Sequence, residues 1–161
     1  MSETYPVMRD ENNILHFTTQ SGIAYFATFL SSSHFSAFPA LDSLLYEFSF
    51  DFMGTGNPPV RHDPKVGNTV VALAFRFLKQ FPDGVLMFVC DPTDARNRQR
   101  KILFSKWFRT HGQAEFEKLD VKVVDESHHY YASLIFRQNH PYAAEIVAAV
   151  EGTRDLYQSF K

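Results

Sequence analysis

The chain has 161 residues, with 16 Lys and Arg against 18 Asp and Glu, for a formal charge of −2. That length suits one domain around one core, and the near-neutral balance means that any anion site must come from local clustering. The single Cys90 excludes an internal disulfide and a cysteine-based zinc site, and no apolar stretch approaches the roughly 20 residues that span a bilayer.

Seventeen Phe, 7 Tyr and 1 Trp bring the aromatic share to 16%, and hydrophobic residues reach 45%. Most of these rings must be core, because a soluble surface cannot carry them. The first residues are polar and hold no apolar signal core, so a soluble cytoplasmic protein is expected.

Residues 1–12 read as a ragged start. Ile14 to Thr19 and Ile23 to Leu30 have strand character, and Gln20-Ser21-Gly22 joins them as a hairpin. Ser31 to Pro39 reads as a loop. Leu44 to Met53 alternates, with Tyr46, Phe48, Phe50 and Phe52 on one face and Glu47, Ser49 and Asp51 on the other. This period of two marks a half-buried strand. Gly54 to Pro59 is a loop. Val66 to Phe81 carries Val70, Leu73, Ala74, Phe77, Leu78 and Phe81 at helical spacing, so a helix is expected with Phe77 fully buried in mid-stripe.

Pro82-Asp83-Gly84 ends that helix. Val85 to Cys90 is a continuous apolar run, suited to a strand buried on both faces. Asp91 to Asp94 caps a basic helix over Ala95 to Thr110, which His111-Gly112 stops. Val121 to Glu126 and Tyr130 to Gln138 read as strands joined by Ser127-His128-His129. Pro141 opens a last helix over 141–161, with Ala144, Ile146, Val147 and Val150 inward and a break or kink at Gly152. No repeat and no second domain is read. The expectation is an α+β fold, a single-domain mixed β-sheet with helices on both faces in the order β-β-β-α-β-α-β-β-α. The strand at 85–90 follows a helical crossover and should lie parallel to the strand at 44–53.

That order resembles the GNAT acyltransferase fold over residues 13–138. In that family the helix after the third core strand opens with a Gln/Arg-x-x-Gly-x-Gly/Ala turn whose backbone N–H groups hold the pyrophosphate of acyl-CoA. The matching stretch here is Pro64-Lys65-Val66-Gly67-Asn68-Thr69, in which Gly67 fits, Pro64 stands at the leading position and Thr69 at the last. The resemblance implies an acyl-CoA-dependent N-acyltransferase with acetyl-CoA or another acyl-CoA as cofactor and a small-molecule or protein amine as acceptor. The family's Tyr that protonates the leaving thiolate has its nearest equivalent in Phe104, which cannot donate a proton. The segments 62–69 and 90–96 also resemble those of an uncharacterised family of small bacterial proteins, which implies a shared fold and no activity.

The candidate cofactor-binding residues are Lys65, Val66, Gly67, Asn68 and Thr69 at a helix start, with Arg96 and Arg100 on the inward side of the basic helix. Against this, Asn68 or Thr69 would be an ordinary helix cap. Arg96 and Arg100 would pair with Asp91, Asp94 or Glu47. Glu47 and Asp51 on the central strand are the candidate catalytic bases. His62-Asp63 is a candidate base or, before Pro64, a turn leading into a helix. A metal held by His62, Asp91 and Asp94 has no support from spacing, and no metal is expected. Cys90 reads as a small core residue and His128-His129 as an exposed turn. The rival to catalysis is a non-catalytic binding protein on a degenerate acyltransferase fold, recognising a protein or, through the basic helix at 96–109, a nucleic acid.

Overall fold

The computed structural model describes residues 3–31, 39–54, 63–90, 105–106, 108–110, 114–125 and 128–156, with the backbone alone at 39–40, 90, 121–125, 128–131 and 150–156. Among the described residues seven strands form one sheet: β1 (Met8–Arg9), β2 (Leu15–Thr18), β3 (Ala24–Ser31), β4 (Leu45–Phe52), β5 (Val85–Cys90), β6 (Phe116–Asp125) and β7 (His128–Arg137). Their order across the sheet is β1-β2-β3-β4-β5-β7-β6. Every neighbouring pair is antiparallel except β4 and β5, which are parallel. The parallel pair has a simple cause. Helix α2 (Pro64–Gln80) carries the chain back between them, and a crossover of that length is what parallel strands require.

The β2–β3 hairpin turns at Gly22, whose φ of 88° suits a residue without a side chain. The Thr19 N–H donates to the Ile23 carbonyl across the turn at 2.8 Å. In β4, Phe48, Phe50 and Phe52 are buried, and Glu47, Ser49 and Asp51 on the opposite face are half-buried. The Phe48 and Phe50 face meets α2. There Val70, Leu73, Ala74 and Leu78 join Leu86, Phe88 and Ile135 in the larger core. The opposite face packs Leu45, Val85, Met87, Leu134 and Phe136 against α1 (Pro39–Asp42) through Leu41, and against α3 (Ala143–Leu156) through Ile146 and Ala149. Helices therefore cover both faces of one mixed sheet, as expected.

Several expectations need correction. Among the described residues 3–12 the start is not ragged: Tyr5 is buried and β1 pairs with β2 through Met8–His16 and Arg9–Leu15. A two-residue strand carries no periodic signal. Pro39, read as the end of a loop, instead opens α1, which continues through residues 40–42, where no element was read. Phe77 is only partly buried. It stacks on Phe29 with ring centroids 4.4 Å apart, and Tyr46 meets it edge-on at 5.1 Å. The stripe of α2 turns away from its flank and buries Val66, Val71 and Thr69 instead.

Strand β6 begins at Phe116, five residues before the expected Val121. Its charged residues concealed the pattern, because they are satisfied within the sheet. The Asp120 carboxylate accepts from Lys118 Nζ at 2.6 Å and from the buried Ser133 hydroxyl at 2.6 Å. In α3, Ile146 and Ala149 are inward, whereas Ala144 and Val147 face solvent, and the helix runs through Gly152 to Leu156. The start of α3 is tied to the turn before β5. His140 Nε2 hydrogen-bonds the Asp83 carbonyl at 2.8 Å, and Arg137 reaches the Asp83 carboxylate at 3.0 Å.

Candidate functional site

The parallel ladder joins Leu45, Tyr46 and Glu47 to Val85, Leu86 and Met87. Beyond it β4 continues on β3 as far as Phe52, and β5 continues on β7 as far as Cys90. No β4–β5 pair follows among the described residues, so the sheet forks toward the carboxyl ends of its two central strands. The amino end of α2 lies past the end of β4. Crevices at such strand ends are where open α/β sheets hold ligands.

Glu47 is the last β4 residue of the ladder, on the face away from α2. Its carboxylate has no hydrogen bond or ion pair among the described residues. Asp51 lies on the same side, half-buried, and accepts the Phe52 N–H at 2.8 Å. Lys65 to Thr69 stand on the opposite side, in α2. Between the two sets, on the α2 side, the buried Phe50 and Phe88 rings stack at 5.4 Å across the fork and fill it.

The start of α2 is closed by the chain itself. Asp63 is its cap, not Asn68 or Thr69: the carboxylate accepts the Lys65 N–H at 3.0 Å, and the Asp63 carbonyl accepts the Val66 N–H at 3.1 Å. Pro64 has no N–H to offer. Asp63 before Pro64 is thus the turn leading into the helix, one of the two readings open in the sequence. Gly67 is buried inside the helix rather than exposed at its tip. Thr69, 1% exposed, donates to the Lys65 carbonyl at 2.7 Å and accepts the Tyr5 N–H at 2.8 Å. The Asn68 amide donates to the Glu3 carbonyl at 3.1 Å.

Tyr5 completes this closure. Its hydroxyl donates to the second Asp63 oxygen at 2.5 Å and accepts the Gln20 N–H at 3.2 Å, while Lys65 Nζ sits 4.6 Å from the ring centroid. The hydrogen bond to Asp63 holds the phenol above its ordinary pKa. Phe17 stacks between Tyr5 and Tyr25, at 6.0 and 5.2 Å. Burial, then the Asp63 and Asp51 carboxylates, push the Tyr25 phenol up as well, so this hydroxyl keeps its proton. Sequence reasoning missed both tyrosines. Tyr25 is half-buried in a strand whose two faces are both largely apolar, so alternation does not single it out, and nothing near Tyr5 in the chain signals its partners.

Arg96, Arg100, His62, Asp91 and Asp94 lie outside the described residues, as do the side chains of Cys90, His128 and His129. Among the described residues no group of three His, Cys, Asp or Glu could hold a metal ion. No helix among them is long and apolar enough to cross a membrane.

A solved structure of a CoA-dependent acyl-homoserine lactone synthase, MesI, aligns with 94% of this chain and 72% of its own. The identity is 14% and the TM-score 0.38, a likeness too loose to carry an argument. No curated protein matches the sequence. Residues 62–152, from the start of α2 through most of α3, match the model described as a family of unknown function (DUF6169), and the chain belongs to that family.

Proposed function

We propose that the protein is an acyl-CoA-dependent N-acyltransferase, in which the fork between β4 and β5 receives the pantetheine arm. The observation that supports this most directly is the three-pair parallel ladder, which stops while both strands run on. An extended arm bearing amides fits between two strands as an added strand does. A thioester reaching through from the α2 side would displace the Phe50–Phe88 stack and emerge near Glu47, whose carboxylate would take a proton from the attacking amine as the C–N bond forms, the C–S bond breaks and the sulfur leaves as CoA thiolate, to be protonated by solvent. Asp51 is the second candidate base on that side. The capped start of α2 leaves the diphosphate to Arg96 and Arg100, with Lys65 at the rim. Lys65 to Thr69 would then shape the cofactor's approach more than grip it. The sheet order and the GNAT-like succession of elements agree with this reading.

The test is calorimetric titration with acetyl-CoA and CoA, followed by a thiol-release assay over a panel of amines. Glu47→Gln should keep CoA binding and lose most turnover. Arg100→Ala should weaken binding by about 1.5–3 kcal/mol, the range of a charge-assisted hydrogen bond. No heat at millimolar ligand would overturn the proposal.

A second reading has its own observation. The Asp63 carboxylate and the Tyr5 side chain occupy the helix end where an anion would sit. That favours a non-catalytic member of the architecture which recognises a protein or nucleic-acid partner. Failure of the CoA titration would put this reading ahead.

A further inference from the structure

A second concave region lies along α2, on the far side of β4 from the fork. Two adjoining cavities of about 340 and 380 Å³ share Val7, Leu73 and Arg76 and so form one groove. Such volumes fall in the range of small-molecule sites, roughly 300–1,000 Å³. One wall is α2, and the other is the N-terminal segment that Tyr5 anchors. In the larger cavity the apolar lining is Val7, Leu15, Leu73 and the stacked pair Phe29–Phe77. This is where the exposed part of Phe77 goes.

Two arginines line the larger cavity, one from each wall. Arg9 pairs with Leu15 in the β1–β2 ladder, and paired residues share a face, so Arg9 points toward α2. Arg76 comes from α2 and lines both cavities. Neither has an ion-pair partner among the described residues. Their remaining neighbours in the larger cavity, Asn13 and Gln80, are neutral. A groove with an apolar floor, a polar rim and two cations that no described acidic residue matches, one of them at the junction of its two parts, is complementary to one kind of small ligand: a single negative head on an apolar tail.

We propose that this groove binds a straight-chain fatty acid, with its carboxylate between Arg9 and Arg76 and its chain along Val7, Leu73, Phe29 and Phe77. The guanidinium fork matches a carboxylate in shape as well as charge. The site is independent of the β4–β5 fork and does not rest on CoA binding.

The experiment titrates the full chain with decanoate by calorimetry, beside decanol (the tail without the charge) and inorganic phosphate (charge without a tail). Saturable one-to-one binding of decanoate is expected, with decanol and phosphate each at least about tenfold weaker. Arg76→Gln, at an exposed position, should leave the thermal midpoint unchanged and weaken decanoate about tenfold without changing decanol. Arg9→Gln should act in the same direction. Equal affinity for decanoate and decanol would overturn the proposal, as would phosphate binding as tightly as decanoate. Failure of decanoate to saturate below its aggregation concentration would do so too.

Discussion

Replacing Tyr5 by Phe removes one oxygen from the strap that closes α2 and leaves the ring against Phe17. The lost hydroxyl donates to a carboxylate at 2.5 Å and accepts a backbone N–H at 3.2 Å. A hydrogen bond to a charged group contributes about 1.5–3 kcal/mol, and Asp63 is only half-buried, so the lower part of that range applies. The expected loss is about 1–2 kcal/mol at pH 7, read as a drop of roughly 0.5–1.5 M in the urea midpoint at constant slope. Asp63→Asn keeps an oxygen to cap Lys65 and isolates the charge. The double-mutant cycle should return a coupling of about 1 kcal/mol. The pH dependence has a definite sign. The folded-state pKa of Tyr5 is raised above 10.0, chiefly by its bond to Asp63. Its contribution is therefore full below about pH 10 and is lost as pH rises through the folded value. The gap between the parent protein and Tyr5→Phe should stay level from pH 7 to 9 and shrink above 10. A loss under about 0.3 kcal/mol at pH 7, or a gap that widens in alkali, would refute the reasoning.

Phe48 is 1% exposed and stacks on Phe29 at 4.8 Å, so Phe48→Ala should cost about 3–5 kcal/mol. Phe77→Ala, at the groove, should cost less than about 2 kcal/mol; denaturant unfolding of the two variants checks the order. A methyl group on Gly84 would lie 2.6 Å from the Phe81 ring and 3.0 Å from its carbonyl. Gly84→Ala should therefore destabilise by about 1–3 kcal/mol in a thermal melt. A neutral result there would mean that the Phe81 ring swings aside.

Much of the frame is legible in the chain because its signals are local. The alternation of Phe48, Phe50 and Phe52, the apolar stripe of α2 and the run from Val85 to Cys90 each identify an element from its own residues. The crossover between two of them then dictates a parallel pair. What escaped that reading depends on partners distant in the chain. β1 exists because Met8 and Arg9 meet His16 and Leu15, not because two residues favour a strand. The first half of β6 hides behind charges that Ser133 and neighbouring residues satisfy. The face that α3 turns inward is chosen by Leu134 and Phe136 beneath it. The candidate site divides in the same way. Glu47 and Asp51 could be placed on one face by counting in twos. That Glu47 stands at a fork is a property of two strands and their unequal pairing. Lys65 to Thr69 had the spacing of an anion loop, yet Tyr5, 58 positions before Asp63, closes the helix above them. Periodicity records which residues share a face; which donors are already occupied is decided by hydrogen bonds that only the folded chain brings within reach.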